Sequence, residues 1–124
     1  MAGRLDLEIN KGATYVKSFI WETKDTNTGV TTPVDLTEFS ARMQAREEFD
    51  SPVAFLNLNS DPGGGIELGG LPGEIKVTVL PSTSSVLVQE GGVYDLELFH
   101  TNNPEYVVRL LEGKIKLRPE VTRG

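Results

Sequence analysis

The sequence predicts an all-β protein, an antiparallel β-sandwich built from about eight or nine short strands. Valine, leucine, isoleucine and threonine recur throughout the chain, and several of these residue types favour strands. The 13 glycines and 7 prolines interrupt them at short intervals, which leaves little room for long helices. Between these turn residues, apolar and polar side chains alternate with the period of two that is typical of half-buried strands.

The 124 residues are expected to form one domain with a single core, residues 1–124. A chain of this length buries roughly two thirds of its unfolded surface, which is enough for one core. There is no cysteine, so disulfide bonds and thiolate metal sites are excluded. No apolar run approaches the roughly 20 residues that cross a bilayer, and the N-terminus lacks a signal-peptide pattern. We therefore expect a protein made in the cytoplasm and no contact with membrane.

Nine segments carry the strand pattern, and the second of them is ambiguous. It places Tyr15, Phe19 and Trp21 at one parity and Val16 and Ile20 at the other, so either face or both could be covered. Residues 22–32 are polar and predict a hairpin loop. In chain order, the predicted strands are residues 4–9, 14–21, 30–34, 38–47, 53–58, 66–68, 74–80, 93–100 and 106–117.

The fourth strand follows a turn whose residues have separate predicted roles. Pro33 fixes the approach, and Asp35 can accept backbone N–H bonds from residues two or three ahead. Leu36 is expected to plug the end of the core, and Thr37 to start the strand. Along the strand one face is predicted to be buried and the other polar; the members are Phe39, Ala41, Met43 and Ala45 on the first, and Ser40, Arg42, Gln44 and Arg46 on the second.

Two features are expected in the second half of the chain. Pro81 and the serines after it predict a single helical turn near residues 82–88. In the last strand the apolar parity changes, with Val108 and Leu110 at even positions but Ile115 and Leu117 at odd ones. A β-bulge at Gly113 would return both pairs to one face.

Charge is distributed unevenly along the chain. The net charge is −6, which argues against nucleic acid as a partner because such binding depends on clustered lysine and arginine. The basic C-terminal strand and tail, residues 109–124, nevertheless carry +3, since five basic residues there outnumber two acidic ones. A chain with an acidic body and a basic end could associate head to tail with copies of itself or bind an acidic neighbouring protein. A solvated lysine face is the alternative.

Two groups of residues form the candidate partner interface. The polar face of the fourth strand could hydrogen-bond a neighbouring subunit, or be solvated or bonded within the chain. The basic C-terminal end has the same two interpretations. The members are Arg42, Gln44 and Arg46 in the first group, and Lys114, Lys116, Arg118 and Arg123 in the second.

Known catalytic and cofactor motifs are not found in the sequence. His100 is the single histidine, so no second imidazole can complete a metal site or a proton relay. The glycine-rich residues 61–65 precede no helix that could bind a phosphate. Aspartates in turns could meet around calcium, but their spacing fits ordinary turn formation better. We expect no enzyme, no cofactor and no metal.

A series of short motifs gives a more specific expectation. The motifs are Gly-Ala-Thr at residues 12–14, Trp21, Pro-Val-Asp-Leu-Thr at 33–37, Ala-Arg-Met-Gln-Ala-Arg at 41–46, Tyr-Asp-Leu-Glu-Leu at 94–98, Leu-Leu-Glu-Gly-Lys at 110–114 and Arg-Pro-Glu-Val-Thr-Arg at 118–123. Together they resemble small virion proteins of tailed phages. Their order is similar to the N-terminal, immunoglobulin-like domain of the phage baseplate upper protein family. The long C-terminal extension of that family is missing, which favours a stand-alone virion component.

The resemblance implies an immunoglobulin-like sandwich and a virion structural protein, assembled in the host cytoplasm. Its partners would be other virion proteins and copies of itself, in the tail, baseplate or fibre-attachment region. A capsid decoration or head-completion protein is an alternative with the same surfaces. A carbohydrate-binding adsorption module is an alternative of another class, which requires that Trp21, Tyr94 or Tyr106 be exposed.

Overall fold

The computed structural model describes residues 3–121 and shows an all-β sandwich, with eleven strands and one short helix in that part of the chain. Each of the nine predicted strands has a counterpart. The structure has two strands more than predicted, because the predicted first strand is split into two and the predicted loop at 22–32 contains a strand. The elements are β1 (Gly3–Arg4), β2 (Leu7–Asn10), β3 (Tyr15–Ile20), β4 (Glu22–Lys24), β5 (Thr31–Pro33), β6 (Phe39–Arg46), β7 (Leu56–Asn59), β8 (Ile66–Leu68), β9 (Glu74–Val79), α1 (Pro81–Ser84), β10 (Gly91–His100) and β11 (Asn103–Arg118).

The strands form two packed sheets and a separate hairpin. The larger sheet has the order β7-β6-β10-β11, and β1 and β2 both pair with the free side of β11. The smaller sheet has the order β3-β9-β8, and β4 pairs with β5. All of these ladders are antiparallel except those of β1 and β2, which run parallel to β11. The order β6-β10-β11 opposite β3-β9-β8 corresponds to strands C-F-G and B-E-D of an immunoglobulin-like sandwich.

The core lies between the two sheets and follows the alternation in the sequence. In β6 the side chains of Ala41, Met43 and Ala45 are buried, whereas Arg42 and Gln44 point away from the core. β9 and β10 alternate in the same way. Burying one large apolar side chain contributes about 1.5–3 kcal/mol, so these three strands supply much of the stability. Within residues 3–121, no helix has the length and apolar character needed to span a membrane.

The ambiguity in the second predicted strand is resolved by its position at a sheet edge. Tyr15 and Phe19 pack against the core, opposite Val79 and Ile75 of β9. The other parity faces solvent, with Val16 50% and Ile20 46% exposed. The expectation that both faces could be covered was therefore wrong for β3.

The bulge in β11 lies three residues before its predicted position. Leu96 pairs with Leu111, but its neighbour Glu97 pairs with Arg109, so Leu110 is the extra residue that changes the parity. Gly113 pairs regularly with Tyr94 and is not bulged. Glycine is required there for another reason, because a Cβ atom would collide with the backbone carbonyl of Leu5, which lies between β1 and β2.

The helical turn is shorter than predicted and begins one residue earlier. Pro81 stands in the first turn of α1, where its missing N–H costs no hydrogen bond. The side chain of Ser84 is fully buried, and its Oγ accepts a hydrogen bond from the Gly12 N–H at 3.0 Å. This bond ties α1 to the turn between β2 and β3. Val86 and Val88, which were included in the predicted turn, lie beyond the helix and are exposed.

Candidate interaction surface

The outward-facing side chains of β6, β10 and β11 are aligned by the register of these strands. Glu97 lies between Arg42 and Arg109, so one carboxylate faces a guanidinium on either side. The other two rows do not alternate in charge: one has basic residues on both sides of a valine, and the other has two adjacent carboxylates. Across β6, β10 and β11, the rows are Arg46, Val93 and Lys114, then Gln44, Asp95 and Glu112, then Arg42, Glu97 and Arg109.

The two groups of candidate interface residues lie on this one face. The polar side chains of β6 and the basic side chains of β11 point the same way, and β1 and β2 add outward residues beside β11. Arg123 lies outside the described residues. We call this surface the basic face, because seven basic side chains outnumber four acidic ones; its charged members are Arg4, Arg42, Arg46, Arg109, Lys114, Lys116 and Arg118, with Glu8, Asp95, Glu97 and Glu112.

The arginines of the basic face are held by bonds within the chain. Arg42 Nε donates to Glu97 Oε1 at 2.9 Å, and its guanidinium lies 4.7 Å from the centre of the Phe99 ring. Arg109 Nε is 3.6 Å from Asp95 Oδ2, and Arg118 Nη1 donates to Glu8 Oε1 at 3.0 Å. Pairs this exposed contribute little to stability, but they fix the side chains in place.

The two lysines differ from these arginines. Within residues 3–121, no ion pair involves Lys114 or Lys116, and both side chains are exposed on β11. Their ammonium groups are thus available to a partner. The sequence pointed to both lysines, whereas Arg4 and Glu8 were not among the candidates, because only the parallel pairing of β1 and β2 places them beside β11.

The pKa of Asp95, in the middle of the basic face, is raised. Partial burial raises its pKa, the negative charge of Glu97 raises it further, and the nearby Arg109 guanidinium opposes both effects. The positive charge of Arg109 therefore reduces the free-energy cost of keeping the Asp95 carboxylate ionised.

A shallow groove of about 310 Å³ lies at one end of the basic face. Arg4, Arg46 and Lys114 contribute positive charge to its lining, and Phe49 stands at its border with 87% of the residue exposed. We call it the basic groove. Phe49 was not among the predicted interface residues, although the sequence places it as a large apolar residue within a run of acidic turn residues, Glu47-Glu-Phe-Asp50.

Phe49 is presented by a turn with defined hydrogen bonds. The Ser51 N–H donates to the Glu48 carbonyl, and the Glu48 N–H donates to Ser51 Oγ, both at 3.0 Å. Arg46 Nη1 donates to the Ser51 carbonyl at 2.8 Å, and Arg46 Nη2 to Gln44 Oε1 at 3.0 Å. Phe49 and Asp50 are consequently held at the tip. We call residues 47–51 the turn anchor.

Beneath the groove, three contacts join the segment between β1 and β2 to β10 and β11. The Tyr94 hydroxyl donates to the Leu5 carbonyl, and Asp6 Oδ1 accepts the Lys114 backbone N–H at 2.9 Å. Gly113 lets the Leu5 carbonyl approach β11 closely. Burial of Tyr94 raises its pKa to about 12, with smaller contributions from Tyr15 and Asp6. These contacts are structural, and they explain why the predicted first strand breaks between β1 and β2.

The turn before β6 has the structural role that the sequence predicted. The Thr37 N–H donates to Asp35 Oδ1 at 3.0 Å, and this bond lowers the Asp35 pKa. Leu36 is buried in the core, and Pro33 is the last residue of β5. The strand itself begins at Phe39 and not at Thr37. The turn closes one end of the core.

The same end carries an aromatic cluster. Phe39 packs edge-on against Trp21 and His100, with ring centres 5.4 and 4.7 Å apart. His100 contacts Tyr106 at 4.6 Å, also edge-on. We call this the aromatic end. Tyr94 is buried and Trp21 is half-buried, whereas Tyr106 is 53% exposed and meets the condition for the carbohydrate-binding alternative.

Two of the aspartates that could have met around calcium, Asp25 and Asp35, bond instead to their own turns. Asp25 Oδ1, for example, accepts the Asn27 N–H at 2.8 Å. Among residues 3–121, no three histidine, aspartate or glutamate side chains are grouped closely enough to hold a metal ion.

No protein-family model matches the chain, and no curated protein has a similar sequence.

Proposed function

We propose that this chain is a non-enzymatic structural protein of a tailed-phage virion and that it contacts other virion proteins through the basic face. The tail, the baseplate and the fibre-attachment region are the proposed locations. One observation carries the proposal: register and topology gather seven basic side chains on one sheet face of a chain whose net charge is −6. Such a face suits recognition of an acidic protein surface.

The form of the face favours a protein partner over nucleic acid. Carboxylates occupy its central row, and the Arg42 and Arg109 guanidinium groups lie against Glu97. Phosphate groups would have to displace these carboxylates before they could reach the arginines. The motif series that resembles baseplate upper proteins, together with the immunoglobulin-like strand order, supports the virion placement.

The proposal is tested by mass spectrometry of purified virions from the phage that encodes the chain. The chain should co-purify with intact particles in a fixed ratio to the major structural proteins. Its absence from intact particles would contradict the proposal. If it is present, location in a particle reconstruction distinguishes the tail region from the capsid, where a decoration or head-completion protein would lie.

A variant of the basic face tests the surface itself. Replacing Lys114, Lys116 and Arg118 with glutamine should weaken incorporation into particles. The difference from the wild type should be largest at low salt and shrink as salt rises, because salt screens the attraction that the three wild-type charges supply. The melting temperature should change little, since all three side chains are exposed. A matched control replaces Lys17, Lys24 and Lys76, away from the basic face. Normal incorporation of the first variant would show that its residues are merely solvated.

A carbohydrate-binding adsorption module is the second candidate, favoured by the exposed Tyr106 ring at the aromatic end. Aromatic rings with one open face are common contacts for sugars because they combine apolar area with low entropic cost. A glycan array probed with the purified chain tests it. Binding that is lost in Tyr106→Ala but kept in Val107→Ala would support this function, and an array without signal would remove it.

A further inference from the structure

We propose that the turn anchor docks into the basic groove of a second copy of this chain, reciprocally, so that two copies form a two-fold symmetric dimer. The inference rests on the proposed function, because it names one partner of the basic face. The partner is a second copy, and its recognised part is an exposed aromatic ring flanked by carboxylates.

The turn anchor is an apolar group without cover. Phe49 is 87% exposed, and Val53, shortly after the turn, is 73% exposed. Large aromatic rings bury 150–250 Å² when covered, so an uncovered one at the tip of a rigid turn is a strong potential contact. Hydrogen bonds between Glu48 and Ser51 hold the turn in place, and binding therefore costs little conformational entropy.

Charge surrounds the Phe49 ring on the turn. Glu47, Glu48 and Asp50 are all exposed, and within the described part of the chain none of them takes part in an ion pair. A partner pocket for this turn should consequently be apolar enough for a ring and rimmed by positive charge.

The basic groove combines an apolar part, formed by Val93 and Tyr94, with positive charge in its lining. Its volume of about 310 Å³ is sufficient for an aromatic ring, since a cavity of about 150 Å³ can hold benzene. Arg4, Arg46, Arg109 and Lys114 line it, against Asp95 and Glu112. Arg4 is already paired with Asp6 at 3.3 Å and Arg109 with Asp95 at 3.6 Å. Lys114 has no ion pair within residues 3–121, so its charge is available to a carboxylate of the second copy.

The adjacency of turn and groove determines the symmetry. Phe49 borders the groove of its own chain, which places the acidic patch and the basic patch side by side on each copy. Two such copies related by a two-fold axis satisfy both contacts at once, because each turn meets the groove of the other copy. The arrangement closes on itself and gives a dimer, not a filament.

Sedimentation velocity of the purified chain at low and high salt tests the dimer, with charge reversal as the decisive step. The wild-type chain should sediment as a dimer at low salt and dissociate as salt rises. The turn variant Glu47→Lys, Glu48→Lys, Asp50→Lys and the groove variant Arg4→Glu, Lys114→Glu should each be monomeric. Mixing the two variants should restore a dimer. At one contact the reversed turn meets the reversed groove, and at the other contact a wild-type turn meets a wild-type groove. Phe49→Ala should raise the dissociation constant by about tenfold or more.

The matched control reverses three exposed carboxylates elsewhere, Glu22→Lys, Glu67→Lys and Glu105→Lys, and should leave the dimer intact. Circular dichroism establishes that each variant is folded. A wild-type chain that stays monomeric up to about 1 mM at low salt would overturn the inference, as would a mixture of the two variants that does not associate. A chain that is monomeric but present in virions contradicts only this inference. A chain that forms the dimer but is absent from virions contradicts only the proposed function.

Discussion

The two ends of the sandwich use aromatic residues in opposite ways. At the aromatic end, Phe39 lies between Trp21 and His100, and the cluster closes the core. At the other end, which we call the turn end, the core is closed by Tyr94 and the contacts around Leu5, while Phe49 stands free in solvent. The same residue type, phenylalanine, therefore stabilises the fold at one end and is left uncovered at the other.

The difference indicates that the residues that stabilise the fold and the residues proposed to bind a partner lie at opposite ends of the molecule. An aromatic ring that is needed for the fold packs against other rings, and its removal leaves a gap. A ring that the fold does not need can be kept at the surface only at some risk of non-specific association, and carboxylates on both sides limit that risk. Four substitutions can break or sharpen this distinction, from the largest expected effect on stability to the smallest.

Phe39→Ala should destabilise the protein by about 2–3 kcal/mol, less than the 3–5 kcal/mol of a fully buried phenylalanine because Phe39 is only half-buried. Urea unfolding measures the change. Dimer formation should persist under folding conditions. A loss below about 0.5 kcal/mol would mean that the aromatic cluster does not close the core.

Gly113→Ala should cost about 1–3 kcal/mol, because the new methyl group collides with the Leu5 carbonyl and forces β1 away from β11. Gly63→Ala is an instructive control, since that glycine has open space around it but a positive φ of 79°, so its cost is conformational. Unfolding curves for both separate steric crowding from backbone strain. An unaltered free energy of unfolding for Gly113→Ala would show that β1 can move freely.

Tyr94→Phe should cost about 1 kcal/mol, since it removes the hydrogen bond to the Leu5 carbonyl. The substitution should also change how the free energy of unfolding depends on pH in the alkaline range. The folded-state pKa of Tyr94 is raised to about 12, above the unfolded value near 10, so the wild-type loses stability as pH rises from about 10 to about 12. The variant should lose less over that interval. Equal losses in the two proteins would contradict the role given to Tyr94.

Phe49→Ala should change the free energy of unfolding of the monomer by no more than about 0.5 kcal/mol, because the ring is almost fully exposed. High salt keeps the chain monomeric for this measurement. A destabilisation near that of Phe39→Ala would erase the contrast between the two ends.

The sequence predicted the central strands well because their pattern is local. The alternation in β6 and β9 follows from one face meeting the core, and the turn at Asp35 follows from hydrogen bonds two residues apart. The break between β1 and β2 and the position of the bulge could not be predicted in this way. The break depends on the parallel pairing of β1 and β2 with β11, more than one hundred residues away along the chain, and the bulge depends on the register of β11 against β10.

The candidate surface shows the same limit. Its members on β6 and β11 could be chosen from their charge and parity, but only the pairing of both strands with β10 places them on one face. The basic groove and its border with Phe49 depend on the turn after β6, whose geometry is fixed by Ser51 and Arg46. The pairing of Arg42 with Glu97 likewise follows only from the register of β6 against β10, which the sequence alone does not give.

A particle reconstruction at side-chain resolution tests the central claim most directly. We expect density for this chain in the virion, with the turn anchor and the basic face buried against neighbouring subunits and the edge strand β3 in solvent. Density in which residues 47–51 and Lys114 face solvent, while contacts run through β3 or β8, would contradict it.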